Sequence, residues 1–502
     1  MPRRGAEPMQ SRSDPTVRER ERVRHGEHAI EHLLRRAGFG ASDEEIADYL
    51  ELGFTESVRR LLNYETEADD VDTLIGQAGY VSVTARGEFL PRTVINDSRQ
   101  RWLFRMIHSR RPLQEKMTLF WHNHFATAYS KIAGAFGAAE GARYMAAKPG
   151  EDPNQVKGQI ELFREFALGN FRDLLIAVAK DTAMLVWLDG RTNVRGRPQE
   201  NFARELMELF TMGVDMFAET DVYAGARVFT GWNLTRPANA YYTFNFAAGQ
   251  HDTAAKEFTF PIYANGSKVI PGRTGDAGMQ DGVDLINAVA AHPATGPRLA
   301  RKLYQFFVSE VSPPDPRLIA ELADIYYRGR FEMKPVVEHL LLSPQFVAQS
   351  NRYTRYSWPA EFVARSIKEV GWVGFSVNEA LAPMSNMGQQ LFEPPDVAGW
   401  DLGPSWFSSG AMLTRMNFAS QLVTNQKFRL REIARGARQT PDALVSLLLD
   451  RLTAAPFARE PYQALQDYVR AGAAWTGSDA QLLVKAAGLA HLIVGSGGYQ
   501  LV

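Results

Sequence analysis

"NDSRQRWLFRMIHSRRPLQEKMTLFWHNHF" (96–125) divides at Arg110–Arg111 into two helical runs, and that division sets the class of the whole chain. Pro112 belongs in the first turn of the second run, where its missing N–H would have no intrahelical partner in any case. The apolar and aromatic residues behind it recur with helical rather than alternating spacing. Consecutive residues on a helix turn by about 100°, so residues i and i+2 point about 200° apart. His122 and His124 therefore cannot grip one metal from an undistorted helix. His122 shares its face with Thr118 and Glu115, which makes it the candidate ligand or acid–base group. His124 sits with Met117, Phe120 and Trp121 and reads as a buried, hydrogen-bonded histidine.

Outward from this pair, helical signals dominate. "HAIEHLLRRAGFG" (28–40) places Ile30, Leu33, Leu34 and Ala37 on one face and ends at Gly38. "ASDEEIADYLELG" (41–53) opens with Ser42 and Glu45 in capping-box spacing and stops at Gly53. Further helices are predicted for "NQVKGQIELFREFALG" (154–169), "NFRDLLIAVAKDTAMLVWL" (170–188) and "RPQENFARELMELFTMG" (197–213). "ETDVYAGARVFTGW" (219–232) follows as another, with Thr220 as its N-cap. Around 240–270 the period changes: "YYTFNF" alternates, and "EFTFPIYANGSKVI" offers two short strands about an Asn-Gly turn. The expected fold is mostly α, a multi-helix globular body with a small antiparallel β insertion. Residues 1–27 read as a disordered or solvated leader, 28–425 as the helical core, and 426–502 as a C-terminal helical segment packed on it. The Trp/Pro/Gly-rich stretch 385–410 reads as a lid or pocket wall.

A chain of 502 residues suffices for two to four domains or one large one. A formal charge of −1 predicts no general affinity for nucleic acid. The absence of cysteine removes disulfides, thiolate metal sites and cysteine nucleophiles. The leader has no apolar h-region and no later stretch reads as a membrane span, so the default expectation is a cytoplasmic, soluble protein. There is no Gly-x-Ser-x-Gly elbow, His-Glu-x-x-His or dinucleotide fingerprint, which excludes the commonest serine hydrolases, zincins and Rossmann dehydrogenases.

Candidate chemistry gathers at four places. In "ENFARELMELFTMG", Glu205 and Glu208 are three apart and can serve a divalent metal, or Glu200–Arg204–Glu208 can form an ion-pair ladder. Asn201 and Arg204 beside them are candidate substrate contacts. In "AAGQHDTAAKEF" (247–258), His251 and Asp252 project from a loop and can complete a set begun by His122, Glu205 and Glu208. Such N/O donors suit zinc, manganese or iron. "WLDGRTNVRGRPQEN" (187–201) leads arginines into a helix N-terminus, a candidate anion site. Trp232, Trp400 and Trp406 stand in glycine-rich surroundings, either as stacking platforms for a substrate or as buried filling. The expected activity is metal-dependent hydrolysis, the metal lowering the pKa of a bound water and a carboxylate taking its proton.

Several segments together resemble the bacterial family catalogued as domain of unknown function 1800. They include "HLLRRAGFGAS" (32–42), "RPLQEKMTLFWHNHF" (111–125), "ENFARELMELFTMGV" (200–214), "RKLYQFFV" (301–308) and "MGQQLFEPPDVAGW" (387–400), and the resemblance covers residues 28–425. It implies no established activity. It implies export for many members, and genomic neighbours of a sulfatase-like, alkaline-phosphatase-related kind. The alternative expectation is thus a non-catalytic binding or assembly partner of such a protein, with the tryptophan loops as the contact surface.

Overall fold

In the computed structural model, residues 15–153, 155–238, 240–452 and 459–502 are described. Helix of all kinds makes up 62% of the described residues, which include 24 α-helices, and the only strands among them form two small antiparallel pairs. The body is mostly α with a β insertion, as the periodicity predicts.

The helices Ile95–His108 and Pro112–His124 flank the Arg110–Arg111 turn. From Leu113 to His124 every residue but Asn123 is buried, so this helix is packed on all sides. Its one acid, Glu115, is fully buried and accepts hydrogen bonds from Trp102 Nε1 and from the guanidinium groups of Arg105 and Arg164. Burial pushes the carboxyl up, but Arg164 and Arg105 outweigh it and hold Glu115 at about 2. The charge thereby locks Ile95–His108, Pro112–His124 and Gln159–Glu165 together.

A second helix, Pro359–Val370, is buried along its whole length. Its charges survive because each is paired. Glu361 takes Lys116 and Arg355, Arg365 takes Glu369, and Lys368 reaches Glu45. Arg365 also donates to the carbonyls of Tyr499 and Leu501, at 3.0 and 3.2 Å. Residues 426–502 are accordingly woven into the core by their last turns, with Tyr356 and Leu501 forming a β-bridge.

Several local expectations change. The helix containing "HAIEHLL" begins at Pro15, inside the segment read as a leader; residues 1–14 lie outside the described residues. The run 170–188 is two helices, Phe171–Lys180 and Thr182–Trp187, because Asp181 caps the second through Met184 N–H. Ala218, not Thr220, is the N-cap of Glu219–Val228, with the Asp221 carboxylate accepting from its N–H. Ser42 and Glu45 do form the capping box. The insertion starts at Trp232: β1 (Trp232–Thr235) pairs with β2 (Thr243–Phe246), and β3 (Lys256–Glu257) with β4 (Val269–Ile270). Finally, 201–210 is α only through Glu205; Leu206–Phe210 is a π turn.

Candidate functional site

Three segments enclose a cavity of about 150 Å³: the end of Pro112–His124, the helix Thr295–Phe307, and the 398–402 part of the Pro/Gly/Trp-rich stretch. Each helix presents an i, i+3, i+4 set, which helical geometry stacks on one face. Phe120, Asn123 and His124 come from the first, and Lys302, Gln305 and Phe306 from the second. Trp358 and Trp400 complete the aromatic walls. The loop is pinned by Asn123, whose Oδ1 accepts from Trp400 N–H at 2.7 Å. This approach needs glycine at 399: its φ is +89°, and a Cβ there would lie 2.3 Å from Asn123 Oδ1.

At one side of the cavity two basic groups meet. His124 donates from Nε2 to the Phe210 carbonyl at 3.0 Å, so its Nδ1 is the acceptor. Lys302 Nζ donates to that Nδ1 at 3.1 Å. Burial, then Lys302 and Arg298, hold the imidazole well below its usual range, so the ring is neutral. Burial, then Arg298, push the Lys302 amine down to about 7. Among the described residues no carboxylate pairs with Lys302. The Phe210 carbonyl stands at the end of the π turn, where the regular i to i−4 ladder is interrupted; such turns frequently mark functional sites.

The histidine that reaches the 201–210 segment is therefore His124. His122 points to the other side of its helix, where its Nε2 accepts from Phe392 N–H at 3.2 Å. It lies among the rings of Trp102, Phe392 and Trp400, and burial alone takes it down to about 3.

The five predicted metal donors do not gather, and among the described residues no three His, Asp or Glu side chains are placed to share a metal ion. Glu205 and Glu208 do remain neighbours, half-buried. Burial and then the Glu208 charge raise Glu205, while Glu208 acts on Arg298. His251 is held by the Thr230 carbonyl at 2.8 Å on Nδ1 and by Asp281 at 3.2 Å on Nε2. Asp252 forms a two-pronged pair with Arg227, at 2.8 and 3.2 Å.

The predicted substrate contacts also disperse. Arg204 pairs with Glu219 and Glu200, so the ion-pair ladder exists with Glu219 in place of Glu208. Asn201 donates to Asp189 at 2.9 Å. The helix after the 187–197 loop is only five residues long, too short to focus an anion site. Trp232 is buried against Phe229, Phe244 and Gly282, and fills space. Trp406 is buried beside Trp358. Trp400 alone of the three tryptophans lines the cavity, although it too is largely buried.

Lys302 was the residue that sequence reasoning missed. It sits in "RLARKLYQFF" between Leu299 and Phe306 on one helical stripe, a lysine placed where the pattern calls for an apolar side chain. Its partner is 178 residues away, so only the placement within the stripe could have marked it.

The sequence pattern of the family described as "Protein of unknown function (DUF1800)" matches residues 32–501, and the chain belongs to that family. The match runs past residue 425, the end of the resemblance read from the motifs, and takes in the C-terminal segment. No curated protein and no solved structure matches the chain. No helix among the described residues is long and apolar enough to cross a membrane.

Proposed function

We propose that this member of the DUF1800 family is an enzyme acting on a small organic molecule, with the aromatic-walled cavity as its active site and the Lys302 amine as its reactive group. The observation that carries this reading is the contact between Lys302 Nζ and the unprotonated nitrogen of His124, made in that cavity without a carboxylate partner among the described residues. An ordinary lysine near 10.4 presents roughly one free amine in a thousand or fewer at neutral pH, whereas one near 7 presents about half. A free amine can take a proton from a bound substrate or water, or add to an electrophilic carbon. Hydrolysis, expected above from a metal, is open to such a base as well. The fixed His124 acceptor orients the amine so that its lone pair can turn toward the cavity.

Competitive labelling with trace acetic anhydride at pH 7, resolved by peptide mass, tests this. Lys302 is expected to react ahead of the exposed Lys268. A Lys302 that reacts no faster than Lys268 would overturn the proposal.

A further inference from the structure

The geometry points to a more specific role, which rests on the reading of this cavity as an active site: Lys302 forms an imine with a small planar aldehyde or ketone held between the aromatic walls. Three features of the cavity support it.

The first is shape. A cavity of about 150 Å³ accommodates a single benzene-sized ring. Phe120 and Phe306 lie 5.3 Å apart across one wall, and Trp400 closes the cavity from the loop side. A flat conjugated substituent is the ligand that such walls hold best.

The second is what faces the amine. His124 Nδ1 can accept a hydrogen bond but carries no charge, and among the described residues no carboxylate pairs with Nζ to keep it an ammonium ion. A nucleophilic amine needs this setting, and a structural ion pair would abolish it. The lowered titration of Lys302 agrees with the same geometry.

The third is the rim. Gln305 is exposed there, one turn from Lys302, where its amide can donate to the carbonyl oxygen of an entering substrate.

The step balances without a redox partner. The Nζ–C bond forms as the carbonyl π bond breaks, and a nitrogen proton passes to the oxygen. The C–O bond of that adduct then breaks, and its hydroxyl takes the second nitrogen proton and leaves as water, giving Nζ=C. One carbonyl compound and one amine become one imine and one water.

The test is reductive trapping of the full chain at pH 7 with benzaldehyde and cyanoborohydride, which reduces an imine to a stable N-benzyl amine. Site-resolved mass spectrometry is expected to show Lys302 benzylated at least about tenfold faster than Lys268. Trp400→Ala, which removes one wall and leaves the amine, should cut that preference several-fold. Lys302→Arg should abolish the adduct at this site. If Lys302 leads in acetylation but not in benzylation, imine formation is overturned and the reactive-amine reading stands. If it leads in neither, both fall. Because the wild-type ratio is decisive alone, a variant that fails to fold leaves the proposal testable.

Discussion

Two lysines among the described residues, Lys302 and Lys256, touch a histidine nitrogen in different surroundings. Lys302 Nζ lies 3.1 Å from His124 Nδ1 at the edge of a cavity. Lys256 Nζ, on β3 of the insertion, lies 3.4 Å from His251 Nε2 and is wholly buried. Lys256 also donates to Asp281 at 2.5 Å, and Asp281 in turn receives Arg273 and His251. Burial pushes the Asp281 carboxyl up, but hydrogen bonds from His251, Lys256 and Arg273 prevail and hold it below the usual range. The two contacts differ in what else meets the amine: Lys256 has the Asp281 carboxylate, and Lys302 has no carboxylate partner among the described residues.

The sharpest way to break this contrast is Asp281→Ala. Three buried or half-buried donors would lose their common acceptor, and chemical denaturation should show a loss of about 3–5 kcal/mol. Next, Lys256→Met keeps the bulk but removes one donor from Asp281; a loss of about 2 kcal/mol is expected on the same measurement. Lys302→Met should stabilise the protein near neutral pH while abolishing selective labelling, since it removes an amine whose charged form is penalised by burial.

The pH dependence separates the two sites further. The folded Lys302 titrates at about 7, below its unfolded value of 10.5, with His124 and Arg298 the groups that face it. Between those limits the unfolded chain binds more protons, so this group makes stability rise with pH, at most by about 1.4 kcal/mol per unit. Below pH 7 its penalty is fully present. Stability of the wild type minus that of Lys302→Met, followed from pH 6 to 10, should therefore climb. A flat difference would place the amine outside the desolvated site described here. The smallest expected effect is Asp252→Ala, which opens a part-exposed pair with Arg227 and should cost about 1 kcal/mol or less.

Much of the fold was legible because its signals are local. Pro112 marks a helix start, Ser42 and Glu45 satisfy each other's backbone across one turn, and "YYTFNF" alternates within six residues. Asp181 misled because a capping aspartate inside an apolar run looks like one polar position on a continuing helix. The candidate site was legible only in part. Helical geometry separates His122 from His124, and the two do turn to different neighbours. Which of them meets the 201–210 segment depends on how distant helices pack, and the local pattern holds no record of that. The metal set failed as a cluster for a related reason: His251 and Asp252 found Asp281 and Arg227, partners on other elements. No residue pattern announced the π turn, which is defined by backbone path alone.

That turn has a consequence for heredity as well as for chemistry. The atom that fixes the proton of His124 on Nε2, and so leaves Nδ1 open to Lys302, is the carbonyl oxygen of Phe210. A main-chain oxygen is the same whatever side chain stands at 210, so point mutation of that residue cannot directly rewrite the tautomer. Gaining or losing one residue in 206–210 can, because it rotates the oxygen away. The chemistry of this lysine is thus guarded against substitution and vulnerable to insertion and deletion.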